Sequence, residues 1–214
     1  MPGKAKKSVP PDRGRKAAYV MRNRAALLHS TQEVLAVKGQ AATIEDIAEH
    51  AHVAVSTIYK HFDDKDALIS ATMMFGFYEW LASVQASVEH SPDPLEKLVL
   101  PMRAFVRTKW THPHHAQNMV NFSDLVARFV PILSETLNEH IKELIKAKLL
   151  TCEDPDVAAR NIQAVLFSTA NYQTINSDAK ITDGDASVRV ALKMLGISDV
   201  KARKLTESKI PKIS

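Results

Sequence analysis

The chain has one cysteine, Cys152, so no disulfide can close within it, and that usage fits a reducing compartment. Six glycines in 214 residues are few, and extended alternating runs of Val, Ile and Thr are missing, which argues against a β fold. There is no Gly-rich loop of the kind that cradles phosphates. No uninterrupted apolar run approaches the roughly 20 residues needed to span a bilayer. The basic N-terminus is not followed by the apolar stretch of a signal peptide. These absences leave an all-α chain, long enough to bury a sizeable core and expected to be cytoplasmic, with no membrane partner.

Charge is the first positive signal. The net charge is +4, but residues 1–24 hold eight basic side chains against Asp12 alone, an excess of +7 that leaves −3 for the remainder. A basic end on a mildly acidic body fits a polyanion partner, although a solvated tail would show the same run.

The spacing then divides the chain. Residues 1–16 form a basic, Pro- and Gly-containing arm expected to be flexible. Helical periodicity begins near Arg15, and Leu27, Leu28, Thr31, Val34 and Leu35 make an apolar stripe that ends at Gly39. Thr43 caps a second helix over about 44–51, and a short third helix covers about 55–61. Asp63 or Asp64 caps a long fourth helix. Further helices are expected over 94–111, 114–122, 123–150 (kinked or split at Pro131), 155–176 and 185–195. The domains read as a small helical unit over 17–64, a larger helical unit over 65–196, and a mobile basic tail over 197–214.

The segment "TIEDIAEHAHVAVSTIYKHF" carries the most specific pattern. Small Ala48 sits where two helices cross closely, His52 lies at the turn four residues on, and apolar Ile58 faces back six residues later. This is helix-turn-helix spacing, in which the second helix enters the major groove. Ile58 and Phe62 anchor that helix. Val55, Ser56 and Thr57 are suited to base edges; Tyr59, Lys60 and His61 are suited to phosphates. Lys65, at the head of the next helix, adds its charge to that helix's dipole against a further phosphate. Thr43 can cap its helix and offer a hydroxyl or N–H to the DNA backbone. An ordinary αα-hairpin with a polar outer face is the plain alternative.

Residues "TIEDIAEHAHVAVSTIYKHFDDKDALI", with "VLAVKGQAATI" before them, resemble the DNA-binding domain of the TetR family of transcriptional regulators. The shared positions run in order from Thr43 through Ile47, Ala48, Tyr59 and Phe62 to Leu68. Two positions depart: His52 stands where Gly is usual, and Ala54 where Ser often caps the recognition helix. The resemblance implies a homodimer joined through its last two helices, two recognition helices on a palindromic operator, and a small-molecule effector pocket in the larger unit. It also implies repression as the common outcome, with activation as the minority one.

The residues of the larger part agree with that picture. Residues 155–176 hold more apolar surface than one face of a monomer helix needs. Large apolar groups crowd the middle of the chain, and the candidate effector residues are Phe77, Trp80, Met102, Phe105, Trp110, Asn118, Phe122, Phe129, Phe167 and Asn171. For each apolar member, plain core packing is the competing reading. For the amides, an unsatisfied group costs about 1–3 kcal/mol, and a ligand is one way to satisfy it. No catalytic residue, metal ligand or cofactor is assigned. Cys152 lies in a turn without a nucleophile's signature, and "HPHH" at 112–115 lacks accompanying Cys or carboxylate ligands. A nonspecific architectural DNA binder, using the arm alone, is the remaining rival.

Overall fold

A computed structural model describes residues 13–89, 91–128, 130–208 and 210, with side chains from residue 20 onward except at 87, 130 and 132. Among the described residues the chain is helical and has no strand. The basic residues 1–12 and the candidate Phe129 lie outside them.

Helix α1 (Arg13–Lys38) buries the expected stripe of Leu27, Leu28, Thr31, Val34 and Leu35. Gly39 ends it at φ 56°, a backbone region glycine enters without a Cβ clash. A 3-10 turn (Gly39–Ala41) leads to α2 (Ile44–His50) and then α3 (Val55–Tyr59). Leu35, Ile47, Ile58 and Leu68 are fully buried and, with Phe62, close a small core.

Helix α4 (Lys65–Val88) starts where Asp64 accepts a hydrogen bond from the Ala67 N–H at 2.7 Å. It serves both halves of the molecule. Leu68, Ile69 and Met73 belong to the first core, Trp80 and Val84 to the second. Residues 65–86 are long and apolar enough, by length and composition, to cross a membrane. Their buried apolar side chains are divided between two protein cores.

The second half consists of α5 (Pro94–Phe105), α6 (Thr108–Thr111), α7 (Pro113–Asn121), α8 (Ser123–Ala127), α9 (Val130–Lys146), α10 (Pro155–Ile175), α11 (Ile181–Lys193) and α12 (Asp199–Glu207). The single helix expected over 94–111 is two. Pro101 lies inside α5 without ending it; the break comes at Val106 and Arg107, where the Thr108 hydroxyl donates back to the Phe105 carbonyl. The helix expected over 123–150 is also divided, and Pro131 sits in the first turn of α9, where a missing N–H is tolerated.

Two expectations are corrected. Helix α11 begins at Ile181 rather than near 185, because the Lys180 N–H donates to the Asp183 carboxylate at 2.9 Å and caps it early. The tail from 197, expected to be mobile, contains α12, with the Ser198 hydroxyl accepting from the Lys201 N–H and Ala202, Leu205 and Thr206 buried. Its end is held by charge. Arg103 donates to the Ser208 carbonyl at 2.7 Å and, through Nε, to Asp185 at 2.9 Å. Arg107 donates to the other oxygen of Asp185. A buried cluster thus ties α5 to α11 and to the end of α12.

Candidate nucleic-acid interface and effector site

The turn between α2 and α3 is built from three backbone bonds. The Ala51 N–H reaches the Ile47 carbonyl at 2.9 Å, His52 reaches Glu49 at 3.1 Å, and Val53 reaches Ala48 at 3.0 Å. The last two make a Schellman stop, with His52 at φ 54° in the left-handed position. The turn geometry that usually selects Gly is therefore kept by a residue with a Cβ. At the other end of α2, Thr43 and Asp46 cap each other reciprocally, at 3.1 Å from the Asp46 N–H to the Thr43 hydroxyl and 3.0 Å in return. Lys38 donates to Asp46 at 2.7 Å, and this bond, followed by that from Thr43, lowers the carboxyl pKa to about 2. Ala54, at the head of α3, offers no side-chain cap.

On α3 and just beyond it, Ser56, Tyr59, Lys60 and His61 are exposed, with 53% of Tyr59 accessible. Thr57 is half-buried, and Val55 leans against the first core. Ile58 and Phe62 are buried, so the face opposite the polar row is fixed; Arg24 lies over the Phe62 ring, 5.2 Å from its centroid. Thr43 is exposed at the start of α2. The Lys65 ammonium donates to the Gln40 carbonyl at 2.9 Å, beside the link between α1 and α2.

A joint between the two halves was not legible as such in the sequence. The Asn118 amide donates to the Gln32 carbonyl at 2.9 Å, and Asn121 to the Leu35 carbonyl at 3.0 Å. Helix α7 therefore grips α1 directly. His115 lies against Gly76 of α4: a Cβ built on Gly76 would meet Gln32 Nε2 at 2.4 Å and His115 Nδ1 at 2.8 Å. Glycine permits this close meeting of α1, α4 and α7. Burial, and then the charge of His112, lower the His115 pKa to about 4. The spacing of His115, Asn118 and Asn121 on one helical face was the available signal.

The candidate effector residues fall into separate places. Trp80 stacks edge-on to Phe105 at 5.5 Å, Phe105 edge-on to Phe167 at 4.8 Å, and Phe77 lies 6.1 Å from Trp80. Met102 is in the same core. Half-buried Asn171 follows Phe167 by one turn of α10. The structure places three others elsewhere. Asn118 is at the joint; Phe122 belongs to the first core. Trp110 is 38% exposed under the Lys109 ammonium. Among the described residues no three His, Cys, Asp or Glu side chains converge to hold a metal ion.

A short helix pair with a left-handed turn, seated on a small three-helix core and followed by a larger helical unit, defines a helix-turn-helix DNA-binding architecture. Residues 27–72 match the profile of the bacterial regulatory proteins of the tetR family. The HTH-type transcriptional repressor KstR2 of Mycobacterium tuberculosis is 29% identical over 116 residues, 53% of this chain and 56% of the relative. The match thus spans about half the length of that relative. Two solved structures share the fold. RolR in complex with resorcinol has a TM-score of 0.71 at 21% identity, over 92% of this chain and 100% of that one. FadR from Bacillus subtilis in complex with stearoyl-CoA has a TM-score of 0.67 at 15% identity, over 79% of this chain and 97% of that one. KstR2 is a transcriptional repressor and FadR a transcriptional regulator.

Proposed function

We propose that this chain is a cytoplasmic, ligand-responsive repressor that binds a palindromic operator as a homodimer. The observation that carries the reading is the exposed polar row on and beside α3, held rigidly from behind by buried Ile58 and Phe62. Val55, Ser56 and Thr57 read base edges. Thr43, Tyr59, Lys60, His61 and Lys65 hold the phosphate backbone. Lys65 reaches a phosphate by exchanging its bond to the Gln40 carbonyl. Repression as the sign is supported by the mycobacterial relative, itself a repressor.

The dimer is supported by apolar side chains left exposed on two adjacent helices: Val157, Tyr172 and Ile175 on α10, Ile181 and Val190 on α11. Two copies packed through these faces bury them in a four-helix arrangement and set two α3 helices toward half-sites. A small effector enters the second half near the Trp80–Phe105–Phe167 cluster. It moves α4, which continues into the DNA-binding core, and α7, whose amides hold α1. Operator affinity falls only as far as the effector prefers the non-DNA state.

Binding of purified protein to the DNA flanking its own gene, against random DNA across a salt series, tests this. The native flank should bind at least about 10³ tighter. Lys60→Ala should weaken all DNA alike and reduce the salt slope by about 1; Tyr59→Phe should weaken binding with the slope kept. Equal binding to every sequence would favour an architectural role and end the operator reading for that site.

A further inference from the structure

Trp80 brings a strong hydrogen-bond donor into an apolar cluster. Its side chain is 6% exposed, and Nε1 is buried without an acceptor. The rings around it, Phe77, Phe105 and Phe167, carry no oxygen or nitrogen. The near-perpendicular Phe105 offers at most a π face, a weak partner for an N–H. A buried donor left so is costly and calls for an explanation.

The surrounding charge narrows the chemistry. On α5, Arg103 and Arg107 are both committed to Asp185, and Arg103 also to the end of α12. On α6, Lys109 donates to the Asn176 carbonyl at 2.7 Å. An anionic group buried against the rings would find Arg103, Arg107 and Lys109 already committed, and an unpaired buried charge is strongly disfavoured. The Asn171 side chain, one turn beyond Phe167, makes no hydrogen bond among the described residues and adds a neutral polar group at the rim. Edge-to-face ring contacts accept another flat ring readily.

Resting on the effector reading above, we propose that the effector is a neutral, ring-shaped molecule carrying an oxygen acceptor, seated between α4, α5 and α10 with that oxygen on Trp80 Nε1. Long-chain acyl carriers, with their phosphates, and free carboxylates are excluded from this seat.

The test follows the 15N–1H indole resonance of Trp80 in the full-length native protein, assigned by its survival in Trp110→Phe. The probes are 1-indanone, the oxygen-free indane, and benzoate. 1-Indanone should move the indole proton downfield and bind about tenfold more tightly than indane; benzoate should leave it in place. In Trp80→Phe, calorimetry should find the preference for 1-indanone lost and indane binding retained. An unmoved resonance, equal affinity for indane, or tighter binding of benzoate overturns the proposal. The titrations contain no DNA, so failure of the unliganded protein to bind its operator would sink the regulator reading separately.

Discussion

The two halves of the molecule differ in how completely their buried polar groups are satisfied. In the DNA-binding half the buried hydroxyls of Thr31 and Thr72 are spent on the carbonyls of Leu27 and Leu68, at 2.7 and 2.8 Å. Its helix ends are closed by reciprocal caps and a Schellman stop. In the larger half, Trp80 Nε1, His115 Nδ1, Asn118 Oδ1 and Asn138 Oδ1 are buried without partners. Each such atom costs about 1–3 kcal/mol. The first half is thus fixed, as a surface that must match DNA register requires. The second retains polar atoms whose partners can arrive with a ligand or a shift of helices.

Among the satisfied buried groups of the larger half, the Arg103–Asp185–Arg107 cluster gives the largest expected effect. Asp185→Ala leaves two buried guanidiniums without their shared carboxylate, and breaking a buried pair costs about 3–5 kcal/mol. Chemical denaturation should register that loss. If the loss is under about 1 kcal/mol, the cluster is hydrated and the contrast between the halves is weaker than the geometry indicates.

The joint sits between the two regimes. Gly76→Ala puts a methyl within 2.4 Å of Gln32 Nε2 and 2.8 Å of His115 Nδ1. Something must shift, and overpacking of this kind costs about 1–3 kcal/mol. Since α1, α4 and α7 meet there, the variant should also change how far effector lowers operator affinity, with intrinsic effector affinity held. An unchanged response would detach this joint from the coupling.

Acidification separates the halves by another route. His115 is held neutral by burial, with a pKa of about 4 against an ordinary 6.5. Between those values the unfolded chain takes up a proton that the folded chain refuses, so stability is full above pH 6.5 and falls as the pH drops toward 4. From pH 7 to pH 5 the loss is about 2 kcal/mol; His115→Asn should flatten that part of the slope. Asp46, in the first half, runs in a different window. Its pKa of about 2 makes its contribution complete above 3.8 and lost only as the pH falls through 2. Identical slopes in native protein and His115→Asn would mean the ring is hydrated at the joint.

What the sequence could reveal follows the same division. Caps, stops and stripes are local, so α1 to α4 and the outward row of Ser56, Tyr59, Lys60 and His61 were legible from spacing. Helix α12 was not. Its few apolar positions, Val200, Ala202 and Leu205, are dispersed among charges, and its end is held by Arg103, about a hundred residues away in the chain (α5). Aromatic count was a poor guide to position as well: Trp80, Phe105 and Phe167 converge, whereas Phe122 fills the other core and Trp110 faces outward. Only tertiary packing separates these residues, since each stands on a helix with a comparable apolar pattern.

The smallest effect probes the one non-glycine residue at positive φ among the described residues of the fixed half. His52 adopts φ 54° while its N–H and that of Val53 complete the stop. A residue with a Cβ there bears a left-handed cost of about 1–2 kcal/mol. Glycine removes that cost but loosens the unfolded chain, returning about 0.4–1 kcal/mol of the gain. His52→Gly should therefore stabilise the protein by at most about 1.6 kcal/mol, read by thermal or chemical denaturation. Operator affinity should hold or rise slightly, since the angle between α2 and α3 is unchanged. If the variant is stable but binds operator more weakly, the imidazole itself touches DNA, and the turn joins the reading surface.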